Sequence, residues 1–230
     1  MNISKDATLD IKKIQTIPFK EDQYFKTAYP KKQIVLHHSA GWDDARGMFH
    51  WWSSNKERVA TFCGVVDDGT IVQGFNSRYW AWHINVGSRF NKLPVNLEKY
   101  QNPMYRESLE RGSIGIEICN WGGLRLVDGK FLSWANKEVP ANKVIDYGKE
   151  FRGYQYYERY TDKEMETVYV LVKYLAEKYE IPVAYTRDIW NIHEPALRGD
   201  PGIYTHVSYR TDKSDCHPQP ELAQVLKALS

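Results

Sequence analysis

The sequence predicts a single α/β domain with a central mixed β-sheet flanked by helices. Short runs rich in β-branched residues indicate buried strands. A capping box opens a strongly amphipathic helix, and strand and helix patterns alternate along the chain. The chain has 230 residues, 42% of them hydrophobic, which is enough for one sizeable core.

Charge and hydropathy exclude several classes of protein. There are 31 Lys and Arg against 29 Asp and Glu, so the net charge is only +2 and gives no general attraction to nucleic acid or anionic membranes. The longest apolar run, Val168–Val172, is far shorter than the ~20 residues that cross a bilayer. Residues 1–13 lack the apolar core of a signal peptide, and 3 cysteines are too few for a disulfide framework. We therefore expect a protein made in the cytoplasm with reduced thiols and no transmembrane segment.

The first part of the chain predicts an extension, a strand and a helix. Residues 1–30 are polar and show no sustained periodicity, which indicates an N-terminal extension before a domain spanning 31–230. Gln33–His37 is a short apolar run typical of a buried strand. Asp43 and Asp44 are candidate caps for a helix over residues 44–54.

Two Asp-Gly pairs predict β-hairpins in the middle of the chain. Asp68-Gly69 and Asp128-Gly129 each lie between short strand-like runs and supply the positive φ angles of tight turns. Ser113–Cys119 predicts a buried strand that carries one carboxylate. Residues 85–112 contain two prolines and predict an irregular insertion that lines a groove.

The last third predicts two helices separated by a short strand. Thr161 and Glu164 form a capping box, and the apolar stripe from Met165 to Tyr179 indicates the helix face that enters the core. Gly202–His206 predicts a strand leading into a polar loop. A final amphipathic helix is expected after Pro220.

Three segments place ionisable groups in or at the ends of apolar strands: His37-His38, Glu117, and the stretch 206–216. A carboxylate in a buried strand is costly unless it is paired, ligated or protonated, and a metal-bound water would be one natural partner. Residue types and spacing alone do not say whether the three segments meet in space. Aromatic residues make up 14% of the chain, which fits either a saccharide groove or core packing.

Several motifs occur in one order and together carry a family resemblance. They are Val35–Ala40 (VLHHSA), Asp68–Ile71 (DGTI), Ala81–His83 (AWH), Ser113–Glu117 (SIGIE), and Thr205-His206 followed by Lys213–Asp215 (KSD). From about Gln33 to the C-terminus, the chain resembles the zinc-dependent N-acetylmuramoyl-L-alanine amidases, the family that includes phage lysins and peptidoglycan recognition proteins. The resemblance implies the peptidoglycan recognition protein-like amidase fold.

The resemblance also implies a set of zinc ligands. By family register these are His37, His206 and a third residue that is either Cys or Asp, two positions after a Lys or Thr. That spacing selects Asp215, although the thiol of the neighbouring Cys216 is an alternative. Three protein ligands leave the fourth tetrahedral position for water. Because neighbours in a strand point to opposite faces, only one of His37 and His38 should face the metal, and the family register favours His37.

The same resemblance assigns catalytic and substrate-binding residues. Glu117 matches the family's catalytic glutamate, a general base toward the attacking water, and Lys213 would stabilise the developing oxyanion. Trp82 and His83 match positions near the substrate groove. Some members use instead a tyrosine from the strand before the first hairpin, but residues 60–63 contain none, which favours the glutamate version.

The expected activity is hydrolysis of the amide bond between the lactyl group of N-acetylmuramic acid and L-Ala of the peptidoglycan stem peptide. The expected cofactor is Zn²⁺, and the expected partner is peptidoglycan rather than nucleic acid. Lysis or turnover of the cell wall by a phage or prophage lysin would fit this activity. Two alternatives are a noncatalytic peptidoglycan-binding module and a glycosidase with two carboxylates. The remaining histidines His50, His193 and His217 are expected to be ordinary surface or loop residues.

Overall fold

The fold of this protein comes from a computed structural model, which describes residues 8–9, 13–41, 44–54 and 56–230. These residues form two β-sheets and a set of helices. The strands are β1 (Ile14–Thr16), β2 (Gln33–His38), β3 (Cys63–Val65), β4 (Ile71–Gln73), β5 (Ser113–Ile118), β6 (Gly123–Val127), β7 (Lys130–Leu132), β8 (Glu138–Val139), β9 (Val144–Phe151), β10 (Tyr154–Glu158) and β11 (Gly202–Thr205). The α-helices are α1 (Ala45–Ser54), α2 (Pro103–Gly112), α3 (Asp162–Tyr179), α4 (Glu194–Arg198) and α5 (Pro220–Leu229).

The larger sheet is mixed, with strand order β1-β4-β3-β5-β2-β11. Strand β2 runs parallel to β5 on one side and to β11 on the other, whereas β3 and β4 form an antiparallel hairpin. The residues of β2 and β5 are all buried, as expected for strands covered on both faces. This confirms the predicted α/β fold class, the buried strands and the Asp68-Gly69 hairpin.

The register of the central strands brings three chemistry-bearing residues to one edge of the sheet. His37 lies opposite Glu117 in the parallel pairing of β2 with β5. On the other side, Leu36 is paired with Thr205, so His206 follows β11 beside His37. Paired residues of adjacent strands point to the same face, and the carboxyl ends of parallel strands meet at one edge.

The predicted helices pack against this sheet with the expected end signals. In α3 the Thr161 hydroxyl accepts the Glu164 N–H at 3.1 Å, and the Glu164 carboxylate accepts the Thr161 N–H at 2.6 Å. At the start of α1 the Asp44 carboxylate accepts the Arg46 N–H at 2.8 Å. The other candidate cap, Asp43, lies outside the described residues. The apolar stripe of α3 is buried in the main core and also contacts α5.

The prediction of an irregular insertion over residues 85–112 is confirmed for residues 85–94, which form turns and coil, and is wrong for residues 95–112. Residues 95–101 form a 3₁₀ helix, and α2 follows directly. Asn102 caps α2 by accepting the Met104 N–H at 3.0 Å, and Pro103 occupies the first helical position. Proline is favoured there because that N–H has no partner within the helix.

A second, antiparallel sheet with strand order β8-β7-β6-β10-β9 was not predicted, apart from its Asp128-Gly129 hairpin between β6 and β7. It has a small core of its own, formed by Trp121, Leu124 and Val139. The long strand β9 buries only Ile145 fully, and its charged and polar residues obscure the alternation that would mark a strand.

Part of the predicted N-terminal extension joins the main sheet. β1 pairs in parallel with β4, and Phe19 packs in the core with an exposure of 6%. The boundary at residue 30 stays a prediction. Within the described ranges, no helix has the length and apolar character needed to span a membrane.

Candidate metal centre

A cleft of about 590 Å³ opens at the carboxyl ends of the central parallel strands. Every residue predicted for metal binding, catalysis or substrate contact lies on its wall. These residues are His37, Trp82, His83, Glu117, His206, Lys213 and Asp215. The stretch of residues 85–112, which was expected to line a groove, contributes none of the described lining residues.

Three buried side chains converge at the floor of this cleft. The Nδ1 atoms of His37 and His206 lie 3.0 Å apart. The Asp215 Oδ2 atom lies 2.9 Å from Nδ1 of His206 and 3.3 Å from Nδ1 of His37. Two imidazole nitrogens and one carboxylate oxygen form a ligand set that can hold a divalent metal and leave a coordination position open.

The two neighbouring histidines of β2 point in opposite directions, as strand alternation requires. His37 faces the cleft floor, whereas His38 Nδ1 contacts the hydroxyl of Tyr160 at 3.0 Å. Behind His38 the chain has Gly122, where a Cβ atom would lie only 2.3 Å from His38 Nε2. His38 therefore belongs to the packing between the two sheets and does not reach the triad.

The hydrogen-bond network around the triad fixes which ring nitrogens carry protons. His206 Nε2 lies 3.0 Å from the carbonyl oxygen of Ile84 and must donate to it. His37 Nε2 lies 3.0 Å from Nδ1 of His83, and His83 Nε2 lies 2.8 Å from the hydroxyl of Ser113. The Ser113 hydroxyl donates to the carbonyl of Leu109 at 2.6 Å, so it accepts a hydrogen bond from His83 Nε2. His83 Nδ1 then carries no proton and accepts a hydrogen bond from His37 Nε2.

The tautomers set by this network suit a bound cation. With Nε2 protonated, neutral His37 and His206 both direct Nδ1 lone pairs toward the Asp215 carboxylate. Three lone-pair-bearing atoms at such short separations repel one another unless a positive charge lies among them. The donor set therefore fits a metal ion that accepts nitrogen and oxygen ligands.

Burial keeps the two histidine ligands neutral, which is the form that binds metal. Burial, together with the positive charge that His206 can carry, lowers the pKa of His37 to about 4. Burial also lowers the pKa of His206. For Asp215, burial opposes ionisation, but a positive charge on the neighbouring His206 and His37 rings outweighs it and holds the pKa of the carboxyl well below its usual range. With both rings neutral, a bound cation would supply that positive charge.

Glu117 lies beside the triad with little solvent contact, because only 8% of the residue is exposed. Among the described residues, its Oε2 atom has no hydrogen-bond partner. Burial raises the pKa of the Glu117 carboxyl well above its ordinary value, the Asp215 charge raises it further, and the Lys213 charge opposes both. A carboxyl group with a raised pKa that faces a cleft is suited to proton transfer.

The two residues around Asp215 differ in where they point. Lys213 is half-buried and lines the cleft. Cys216 is fully buried, and its thiol interacts with the hydroxyl of Tyr160 instead of joining the described cluster of metal-competent groups. The geometry thus brings Asp215, and not the alternative Cys216, to the two histidines.

His217, expected to be a surface or loop histidine, lies in a loop but not at the surface. Its ring is fully buried and stacks between Tyr157 and Tyr160, with ring centroids 4.5 Å from each. Its Nδ1 lies 2.7 Å from the hydroxyl of Tyr147, and its Nε2 lies 3.1 Å from the carbonyl of Glu158. A lone histidine outside any periodic pattern gives no sequence signal for such burial.

Comparison with known proteins gives one family and one fold. The sequence profile of the N-acetylmuramoyl-L-alanine amidase family matches residues 27–220. A search of curated proteins finds no match. Among solved structures, PlyL is 16% identical, with a TM-score of 0.51 over 93% of this chain and 96% of that chain. A mutant endolysin from Bacillus subtilis is 15% identical, with a TM-score of 0.53 over 94% of this chain and 98% of that chain. At these identities the structural likeness shows the fold.

Proposed function

The chain belongs to the N-acetylmuramoyl-L-alanine amidase family and is an amidase of that class, and from this premise we propose that it is zinc-dependent. It hydrolyses the amide bond between the lactyl group of N-acetylmuramic acid and L-Ala of the peptidoglycan stem peptide. The observation that carries the proposal is the convergence of His37 Nδ1, His206 Nδ1 and Asp215 Oδ2 beside Glu117, whose Oε2 atom has no hydrogen-bond partner among the described residues.

The three ligand atoms would hold the zinc ion through two neutral imidazoles and one carboxylate. When bound, zinc supplies Lewis-acid polarisation of the scissile carbonyl and lowers the pKa of a coordinated water. A cation held by the triad would favour the ionised form of the nearby Glu117 carboxyl, which is the form that a base needs. Glu117 then accepts the proton of the attacking water and returns it to the amine of L-Ala as that group leaves.

Lys213 contributes a positive charge on the wall of the same cleft. A fixed charge placed where negative charge develops stabilises the transition state without reorganisation. We assign the Lys213 charge to stabilising the negative charge that develops on the oxygen of the scissile carbonyl. Trp82 also lies on the cleft wall, half-buried, where its ring can contact the substrate as the sequence predicts.

A lysin that acts on the bacterial cell wall fits these features. The structural neighbours include a protein described as an endolysin from Bacillus subtilis. We propose that this chain likewise degrades peptidoglycan during cell lysis, as a phage or prophage enzyme. The noncatalytic alternative is disfavoured because all three ligand positions and Glu117 hold competent residues.

The test is digestion of purified peptidoglycan with analysis of the new chain ends. The proposal predicts new L-Ala amino groups without new reducing sugars, loss of activity on removal of metal with EDTA, and recovery on addition of Zn²⁺. New reducing sugars would indicate a glycosidase. Activity that is unchanged by complete metal removal would contradict zinc dependence.

A further inference from the structure

We propose that His83, which the sequence assigns to substrate binding, is instead a positioning residue that holds the metal ligand His37. The inference rests on the proposed zinc site. Both ring nitrogens of His83 are already occupied, Nδ1 by His37 at 3.0 Å and Nε2 by Ser113 at 2.8 Å. Its side chain is only 5% exposed, so no ring nitrogen is left to contact a substrate.

The sheet leaves space for His83 at this position. The ring of His83 packs over Gly115, two residues before Glu117 in β5. A Cβ atom at Gly115 would lie 2.9 Å from His83 Nδ1 and 2.8 Å from the Thr61 methyl group, closer than real Cβ contacts allow. The glycine of the SIGIE motif therefore permits a ring that supports the metal ligand.

A second buried glutamate, Glu110, fixes the segment that carries His83. Its carboxylate accepts the backbone N–H groups of His83 at 2.8 Å, Ile84 at 3.0 Å and Asn85 at 2.6 Å. The segment touches both histidine ligands, because the His83 ring accepts from His37 and the Ile84 carbonyl accepts from His206. We infer that Glu110 orients both rings at once through this segment.

The reason such partners matter is that they fix the tautomer and orientation of a ligand before metal arrives. Removing a partner of this kind weakens metal binding by about 10- to 100-fold in other sites. His83→Leu removes the acceptor for His37 Nε2, whereas His83→Asn keeps an amide oxygen near the position of Nδ1. We expect the leucine variant to raise the zinc Kd about 10- to 100-fold and the asparagine variant to recover most of the affinity.

The measurement is zinc affinity by competition with a chromophoric chelator, together with the visible spectrum of the Co²⁺-loaded protein. Glu110→Gln should also weaken zinc binding, because the new side-chain NH2 group would face one of the three backbone N–H groups, which then loses its acceptor. Glu107→Gln is the matched control, since Glu107 lies on the same helix and pairs with Arg111 at the surface. Thermal melting of the metal-free proteins measures any general loss of stability. Such a loss would weaken zinc binding in His83→Leu without being rescued in His83→Asn.

Unchanged zinc affinity in His83→Leu, with a rise only in KM for peptidoglycan, would overturn the inference and return His83 to substrate binding. Equal loss of affinity in the leucine and asparagine variants would also overturn it. Zinc affinity is measured without substrate, so failure to release L-Ala amines from peptidoglycan would overturn the proposed function alone.

A different observation points to where the glycan strand lies. Among the described residues, the two tryptophans that are more than half exposed, Trp51 at 58% and Trp134 at 65%, both line the metal cleft. Trp134 lies in the turn between β7 and β8. Its Nε1–H donates to the carbonyl of Ala40 at 2.6 Å, which fixes its ring beside the strand that carries His37.

We propose that Trp51 and Trp134 bind the sugar rings of the glycan strand, on the premise that peptidoglycan is the substrate. The scissile bond is attached to N-acetylmuramic acid, so the glycan must pass along the rim of this cleft. Exposed indole rings offer apolar faces to the C–H faces of sugars, and a ring already held by a hydrogen bond loses little entropy on binding.

The probe is peptide-free glycan strands, which an amidase cannot cleave, titrated by calorimetry into the zinc-loaded protein. Trp134→Ala and Trp51→Ala should each weaken binding about tenfold. Phe90→Ala is the control, because Phe90 is 62% exposed but lies outside the cleft. Equal affinity in all three variants and the wild type, or no binding by the wild type, would overturn this glycan site. Glycan binding without amidase activity would overturn only the proposed function.

Discussion

Ionisable side chains are buried at both ends of β5, but their hydrogen bonding differs. Before the strand, Glu110 accepts three backbone N–H bonds, and Lys31 donates to the carbonyls of Arg111 at 2.8 Å and Ser113 at 2.9 Å. Near its carboxyl end, Glu117 Oε2 has no partner among the described residues and faces the cleft of the triad. Buried groups bound to the backbone hold the fold, whereas an unpartnered group facing a cleft is available for chemistry.

The largest expected effect is on kcat and concerns Glu117, near the carboxyl end of β5. We expect Glu117→Gln to lower kcat by about 10²- to 10⁴-fold, because the amide cannot accept a proton in the transition state. Bound zinc and the melting temperature should be retained, since the ligands remain and Glu117 Oε2 makes no hydrogen bond that would be lost. Kinetics on soluble muropeptides and metal analysis check this, and near-normal turnover with zinc bound would contradict the role.

The next effect separates the two adjacent candidates for the third ligand. Asp215→Ala should weaken zinc binding by more than about 100-fold, beyond the loss typical of supporting residues, because it removes a ligand atom. Cys216→Ala should leave zinc affinity nearly unchanged, since the thiol interacts with Tyr160. Chelator competition measures both, and the reverse order of affinities would show that the ligand assignment is wrong.

A smaller effect is expected at the structural end. Glu110→Gln should lower the free energy of unfolding by about 1–3 kcal/mol, because one backbone N–H loses its acceptor in a buried site. Chemical denaturation of the metal-free protein, with Glu107→Gln as control, measures this. If Glu110→Gln is as stable as the wild type while Glu117→Gln is destabilised, the contrast between the two ends of β5 is wrong.

The last effect concerns pH. Burial lowers the pKa of Lys31 to about 7 in the folded protein, opposed by the Glu110 charge. Below pH 7 the lysine is protonated in both states, and the cost of burying its charge is fully present. Between about pH 7 and 10 the lysine is protonated in the unfolded chain but neutral in the folded protein. The free energy of unfolding therefore rises by about 1.4 kcal/mol per pH unit.

Lys31→Met removes this titration and keeps an unbranched side chain. The stability of the wild type relative to Lys31→Met should therefore increase between pH 7.5 and 9.5, measured by denaturation at each pH. A difference that is constant across this range would show that the Lys31 pKa is not lowered in the folded protein.

The residues at the catalytic end of the sheet were predicted from the family resemblance, because residue types and spacing alone left open whether the segments meet. His37 ends one apolar run, Glu117 lies inside a second near its carboxyl end, and His206 follows a third, and the parallel pairing of these strands brings them to one edge. The supporting residues could not be found this way. Glu110 binds the backbone of residues 83–85, and Ser113 joins His83 across 30 positions, contacts that local patterns do not encode.

The errors in the fold have physical causes of the same kind. Helix α2 was missed because Pro103 was interpreted as a helix breaker, although it occupies the first helical position after the Asn102 cap. Strand β9 was missed because it is mostly exposed and lacks an apolar alternation. Which side chains face a cleft depends on such packing, and sequence periodicity does not determine it.

The most direct test of the central claim is anomalous diffraction at the zinc edge from crystals of the zinc-loaded protein. We predict one strong peak in the cleft, bound by Nδ1 of His37, Nδ1 of His206 and the carboxylate of Asp215, with the Nε2 atoms still bonded to His83 and Ile84. A peak at any other group of residues, or an empty triad in protein that cleaves peptidoglycan, would contradict the account.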